Sequence, residues 1–238
     1  NATFHDGNYS VVVSNDFGSA MTELVEVVIS DPLLNGLVGW WKFDEGSGTI
    51  ANDSSGNGHH GSLINGPTWR INGKMGSALS FDGVDDVVIA SLPNLNASNI
   101  SVSQSAWIKT DSSKTELVIS TKRINSTFGW PTLMVLDGKG SIEMDKSGAR
   151  ESFTGTQAVN DNAWHFICGV KDQNNYLIYV DGSLSNSGTN TASYSATDSI
   201  WIGSSGAGGD WDSFGFYGSI DDFRVYERAL SADEVQAL

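Results

Sequence analysis

The sequence predicts an all-β fold, a sandwich of antiparallel sheets closed by one short C-terminal helix, and three observations carry that prediction. Glycine, serine, asparagine and aspartate are abundant while proline is sparse (4 residues) and only 17% of residues are charged, a composition that suits many strands joined by polar turns better than packed helices. Short runs of β-branched and aromatic residues alternate with turn residues from Leu37 to Tyr226. Asp137-Gly138 and Asp181-Gly182 each stand between two such runs, and the central positions of a type I′ hairpin turn require the positive φ that Asp and Gly tolerate.

The elements follow in order. Asp6 to Ser19 and Glu23 to Ser30 are β-rich, with a turn at Asn15-Asp16-Phe17-Gly18. Asp31-Pro32 then interrupts, because the proline ring ends a strand ladder and restricts the residue before it. Residues 1–31 are therefore assigned to a fragment, 32–36 to a linker and 37–238 to one large domain. In the first strand of that domain Trp40, Lys42 and Asp44 fall on one face and Trp41 and Phe43 on the other, as a period of two dictates. Further strands are expected over 78–81, 87–89, 101–109, 116–122, 132–136, 141–144 and 219–226. Tyr176 to Val180 reads as a strand buried on both faces. Ser231-Ala232-Asp233-Glu234 has the form of a capping box and starts the single helix.

Charge and cysteine content exclude several classes. With 28 acidic against 13 basic residues the formal charge is -15, and no basic run is present to neutralise phosphates, so nucleic acid is excluded as a partner. The same charge repels sulfated or uronate-rich polysaccharides unless a local basic patch or bound calcium intervenes, which points to neutral sugars. Cys168, in Phe166-Ile167-Cys168-Gly169-Val170, reads as a small core residue and leaves no intrachain disulfide. No apolar stretch is long enough for a membrane span, so no membrane insertion is expected. The chain opens inside a motif, as an excised piece of a longer protein does.

That opening motif, Asp6-Gly7-Asn8-Tyr9-Ser10-Val11 with the β run after it, resembles the last two strands of an immunoglobulin-like domain. Tyr9 would be the tyrosine-corner residue and Val11 would replace the second cysteine. A second resemblance covers the chain from about residue 36 onward. Gly39-Trp40-Trp41-Lys42-Phe43-Asp44, Asp53-Ser54-Ser55-Gly56-Asn57-Gly58-His59-His60-Gly61, Phe81-Asp82-Gly83-Val84-Asp85-Asp86, Ala106-Trp107-Ile108, Ala163-Trp164-His165-Phe166, Tyr179-Val180-Asp181-Gly182 and Gly218 to Ser231 appear in order. Together they resemble the laminin G-like jelly roll of the concanavalin A-like lectin/glucanase superfamily. The resemblance implies two curved antiparallel sheets, the first strand beside the last, and binding on the concave sheet or its rim loops. It also implies a secreted or cell-surface bacterial protein, since relatives accompany polysaccharide-degrading enzymes, adhesins and other surface proteins.

Three kinds of site were weighed. Calcium takes six to eight oxygens from carboxylates, amides and carbonyls, and the Gly-rich loop from Asp53 to Gly61, placed by the resemblance near the first and last strands, nominates Asp53, Asn57, a backbone oxygen at His60, Asp222 and Asp44. The alternative is that these are turn-forming residues with ordinary hydrogen bonds. His59 and His60 lack the further ligands a zinc site needs. For sugar stacking, Trp41, Trp107 and Trp164 are assigned to the core and Trp40 and Trp201 remain open. Trp130 and Trp211, which stand among Gly, Pro and Asp, are nominated as exposed platforms with Lys122, Arg123 and Asp210 as polar neighbours. Glucanases of the superfamily carry Glu-x-Asp-x-Glu on one strand; here Glu143 and Asp145 begin that pattern but Ser147 takes the place of the second Glu. Glu143 and Asp145 then read as surface residues of a hairpin, and no enzyme is expected.

These readings point to a monomeric, non-catalytic carbohydrate-binding module, stabilised by calcium, whose partners are a polysaccharide and the neighbouring domains of the same polypeptide. The rival is a structural or adhesive spacer with no glycan site, and a polysaccharide-degrading enzyme is the third reading.

Overall fold

The alternation of apolar and polar residues places two eight-stranded antiparallel sheets face to face in the computed structural model, which describes residues 7–10, 12–22, 25–27, 31–92, 101–114, 116–121, 123–124, 127–128, 131–146, 149–191, 199–204 and 215–238. The first sheet runs Ala149–Ala158, Lys139–Lys146, Thr132–Leu136, Glu116–Thr121, Ser199–Ile202, Val87–Ser91, Gly61–Ile64, Ile50–Ala51. The second runs Ser183–Thr189, Asn175–Val180, Trp164–Asp172, Val102–Lys109, Tyr217–Tyr226, Ala78–Asp82, Thr68–Arg70, with Leu37–Trp41 also paired to Tyr217–Tyr226. The first strand of the domain thus lies beside the last. Both Asp-Gly turns form as expected, with positive φ at Asp137 (49°), Gly138 (73°), Asp181 (49°) and Gly182 (78°).

Side chains from the inner faces interlock between the sheets. Trp41, Leu79, Ile108, Ile220 and Phe223 from the second sheet meet Val88, Leu133, Ile142, Ile200 and Ile202 from the first, all buried. The last strand delivers both Ile220 and Phe223 inward although they are three residues apart. A bulge makes this possible: Asp222 has φ of +47°, and the pairing with Val102–Lys109 shifts register between Ser105 and Trp107.

The outer face of the second sheet carries a second apolar cluster. Phe166, Cys168, Val170, Tyr179 and Tyr226 pack there under Leu230 and Val235 of the C-terminal segment. The helix Ala232–Ala237 starts at the capping box anticipated from sequence, and Arg228 grips Glu234 bidentately at 2.7 and 2.8 Å. Cys168 is fully buried, and burial pushes its thiol pKa up.

Because this sheet is covered on both faces, two tryptophans depart from their assignment. Trp41 is in the core, but Ala106 and Ile108 rather than Trp107 face inward, so Trp107 lies half-buried in the outer cluster. Trp164 pairs with Lys109 and is also half-buried on the outer face. Glu143 departs too. Its strand is flanked on both sides, and Glu143 is only 3% exposed, accepting a hydrogen bond from Ser152 Oγ at 2.8 Å.

The chain divides into two compact units, Asn1–Asn35 and Gly36–Leu238. In the first unit Gly7–Tyr9 pairs with Val25–Val27, and Val12–Asn15 forms a hairpin with Gly18–Met21 around the anticipated turn. Val12, Val13, Phe17 and Met21 are exposed on that hairpin. Asp31 Oδ1 accepts the Leu33 amide and caps a short 3-10 turn at Pro32–Leu34. Val11 and the side chain of Tyr9 lie outside the described residues.

Candidate functional site

Strand register builds a polar floor on the outer face of the second sheet, away from the C-terminal helix. Thr68 pairs with Ser80, Ser80 with Ser219 and Ser219 with Lys109, which sets the four in one row across four strands. Paired residues share a face, and the alternate positions Leu79, Ile108 and Ile220 occupy the core, so the row points outward. Trp164 extends it beyond Lys109. Arg70 follows two residues after Thr68 on the same face. At the rim Asp82 pairs with Tyr217, and loops add Asn65, Asp86, Thr110, Asp111 and Asn162. These residues, apart from Trp164 at the end of the row, line a groove of about 520 Å³.

Local chemistry shapes the rim. A Cβ on Gly218 would stand 2.2 Å from the Lys109 carbonyl oxygen, so only glycine lets the last strand pass there. Thr110 Oγ1 donates to the Tyr217 carbonyl at 2.6 Å and holds the adjoining loop to the strand. Asp82 Oδ1 accepts from the Val84 amide and Asp86 Oδ2 from the Asp82 amide, which ties the Asp82–Asp86 turn. Asp82, Asp85 and Asp86 bring carboxylate oxygens within 4.8 Å of one another. Burial of Asp86, with the like charges of Asp82 and Asp85 beside it, raises its pKa. Tyr217 is 47% exposed and presents a ring to solvent beside the hydroxyl row.

At the same end His165, 9% exposed, lies between Asp181 Oδ2 (2.9 Å from Nδ1) and Asp161 Oδ1 (3.1 Å from Nε2) and so fixes the loop that carries Asn162. Burial opposes the charged ring, but hydrogen bonds to the two aspartates outweigh it and raise the His165 pKa above its ordinary 6.5. A raised folded-state pKa contributes stability that is complete below about 6.5 and lost as pH rises through the folded value. Urea unfolding across this range is expected to show stability falling as pH rises above 6.5. His165→Gln should flatten that slope, and an unchanged slope would remove His165 as its source.

A second, smaller pocket of about 340 Å³ is lined by Trp40, Lys42, Asp44, Met75, Asp221, Asp222 and Arg224. Trp40 is engaged there: Lys42 Nζ and Arg224 Cζ each lie 4.2 Å from its ring centroid, and its Nε1 donates to Asp222 Oδ1. Asp222 also pairs with Arg224 at 3.0 Å. Asp221 Oδ2 accepts the Lys74 and Met75 amides at 2.7 and 2.9 Å, its Oδ1 is buried without a partner, and burial raises its pKa to about 6.

The residues nominated for calcium divide between two places. Asp44 and Asp222 line the small pocket, whereas Asp53, Asn57 and His60 hold the Asp53–Gly61 loop. Asp53 accepts from the Trp40 and Ser55 amides at Oδ1 and from Ser55 Oγ and the His59 amide at Oδ2, at 2.8–2.9 Å. Asn57 turns its Nδ2 inward to the Leu37 and Val38 carbonyls, and His60 Nδ1 accepts the Asp53 amide. Asp44 Oδ1 accepts the Ser77 amide. Two of the five, Asp53 and Asp222, do not fit a calcium ion as they are engaged here: the Asp53 oxygens already have four donors, and Asp222 is paired with Arg224. Calcium added to metal-free protein is expected to leave the thermal midpoint unchanged. A rise would return the metal, since a ligand that binds only the folded state must raise it.

Of the residues nominated for sugar binding, Trp130, Trp211, Asp210 and Lys122 lie outside the described residues, and Arg123 is described only as part of the strand Arg123–Ile124. Trp201 is half-buried, with Nε1 donating to Ser199 Oγ. The groove residues Thr68, Arg70, Ser80, Lys109 and Tyr217 were missed from sequence. Outward polar positions on strands that also carry core residues were the available signal, but four strands distant in sequence had to be aligned to read it.

Two facing antiparallel sheets with a polar groove on an outer face define a lectin-like β-sandwich. The chain belongs to the concanavalin A-like lectin/glucanases superfamily, whose laminin G-like family model matches residues 81–236. No curated protein sequence matches it. Solved structures with the same fold include the binding domain of Paraclostridial Mosquitocidal Protein 1 (16% identity, TM-score 0.69, 86% of this chain and 52% of that one). The botulinum neurotoxin serotype D binding domain is similar at 16% identity and TM-score 0.68 (87% and 52%). The binding domain of botulinum neurotoxin DC, in complex with SialylT, is similar at 14% and 0.66 (86% and 51%). The chain spans about half the length of each.

Proposed function

We propose that the chain is a non-catalytic carbohydrate-binding module that holds a larger secreted or cell-surface protein at a polysaccharide. The groove on the second sheet carries this reading. Its floor offers the hydroxyls of Thr68, Ser80 and Ser219 in one row, spaced by the interstrand distance of about 4.8 Å. Asp82, Asp111, Asn65 and Asn162 supply acceptors and donors at the rim. Tyr217, and Trp164 at the end of the row, supply rings for the apolar face of a sugar. The same fold serves as the binding domain of toxins, one of them in complex with SialylT.

Two features support binding without catalysis. Glu143 is held by Ser152, and Ser147 stands where a glycosidase strand would carry its second Glu. A glycan array followed by affinity electrophoresis tests the reading. Tyr217→Ala is expected to weaken the bound glycan about tenfold, the scale of one stacking contact, with the thermal midpoint of the protein unchanged. Wild-type protein that is folded and binds no glycan would leave the spacer role in its place.

A further inference from the structure

We propose that the groove takes an acidic saccharide, a sugar chain bearing carboxylate or sulfate groups, with its anionic groups set against Arg70 and Lys109. This rests on the carbohydrate reading of the same groove and narrows its ligand. The chain has 28 acidic residues for 13 basic ones, and most described basic side chains are engaged. Arg224 pairs with Asp222 and Arg228 with Glu234. Lys114 donates to the Gly83 carbonyl, Lys42 and Lys74 lie over the rings of Trp40 and Trp107, and Lys171 has a partner as well. Arg70, Lys109 and, on the other sheet, Lys139 have none among the described residues. Two of these, Arg70 and Lys109, line one groove from strands three interstrand steps apart.

Their neighbours explain why they stay unpaired. The side chains between them in the floor row are the hydroxyls of Thr68, Ser80 and Ser219, which leave the positive charge intact. The groove's carboxylates stand at its rim, Asp111 in the loop just beyond Lys109. Asp82 pairs with Tyr217, one outward position beyond the Ser80 and Ser219 pair and about 7 Å along the strand, and both Asp82 and Asp86 already accept backbone amides. The floor is therefore basic and the rim acidic.

A ligand that matches has hydroxyls to donate to the rim and an anionic group to receive N–H donors from the floor. The guanidinium fork suits carboxylate and sulfate alike. A neutral sugar would leave both cations unanswered. The overall charge of -15 repels an acidic polysaccharide at long range, but that repulsion is screened beyond about 10 Å at moderate salt, whereas contacts within the groove act at hydrogen-bond distance.

Affinity electrophoresis on matched polymers tests this. Polygalacturonate is compared with its carboxyl-reduced form and a sulfated galactan with its desulfated form, for wild type, Arg70→Gln, Lys109→Gln, the double variant and Tyr217→Ala. Neither basic side chain has a partner among the described residues, so the Gln variants should keep the wild-type thermal midpoint. Preference for the acidic member of a pair is expected, and the pair that shows it distinguishes carboxylate from sulfate. Each Gln substitution should weaken that binding about tenfold, the value of one charge-assisted hydrogen bond, and added salt should weaken it further. Equal binding of both members, lost in Tyr217→Ala but unchanged in the Gln variants, overturns the acidic class and keeps the glycan reading. An acidic preference that survives the double variant overturns its assignment to this groove. Folded wild-type protein that binds none of the polymers overturns both.

Discussion

Trp41→Ala is expected to lower folding stability by about 3–5 kcal/mol, the range for removing a fully buried indole. Trp41 is 0% exposed, its ring centroid lies 5.7 Å from that of Phe223, and its Nε1 donates to the His59 carbonyl at 3.0 Å. It therefore joins the first strand, the last strand and the Asp53–Gly61 loop. Its surroundings are shaped to it: a Cβ on Gly39 would meet the ring at 2.4 Å and one on Gly61 would stand 3.6 Å from Nε1. The cavity left behind adds to the lost burial. Urea unfolding measures the loss. Trp41→Phe should recover part of it while leaving the His59 carbonyl unpaired, and a cost below about 1 kcal/mol for the alanine variant would show that the junction is held by something other than this ring.

Asp53→Ala is expected to cost about 2–4 kcal/mol, because one carboxylate at 9% exposure satisfies three backbone amides and a hydroxyl that would otherwise be left without partners. Asp53→Asn should cost less, since the amide keeps one acceptor oxygen but turns an NH2 group toward donors. Burial alone would raise the Asp53 pKa, but the hydrogen bonds from Ser55, Trp40 and His59 prevail and lower it. A lowered folded-state pKa gives stability that is present above the unfolded value of about 3.8 and lost as pH falls through the folded value. Acid unfolding of wild type should therefore be steeper than that of Asp53→Ala, and equal slopes would count against the carboxylate as the hub of the loop.

The features read correctly from sequence are those whose cause is local. The Asp-Gly turns need positive φ at two adjacent residues, and the Ser231 to Glu234 capping box is closed within four residues. Cys168 was legible because apolar residues surround it on the chain itself. Trp107 and Trp164 were misassigned because strand alternation states that neighbours face opposite ways without stating which way is inward. In a sheet with apolar cover on its outer face as well, Phe166 and Cys168 outside mimic Ile167 inside. Glu143 misled for a related reason: a charged residue in a hairpin looks exposed until a third strand, Ala149–Ala158, pairs beside it.

Composition, period-two alternation and turn chemistry determined by themselves that this chain is an antiparallel β-sandwich with one capped C-terminal helix, since each depends on residues adjacent in the chain, while the lectin-like superfamily was legible only as a resemblance of its ordered motifs. The groove was decided by tertiary structure alone. Thr68, Ser80, Ser219 and Lys109 come from strands up to about 150 positions apart and become one surface only through interstrand register. The Asp222 bulge resets which side chains of the last strand face inward, and a one-residue shift in that strand would exchange its core face for its solvent face.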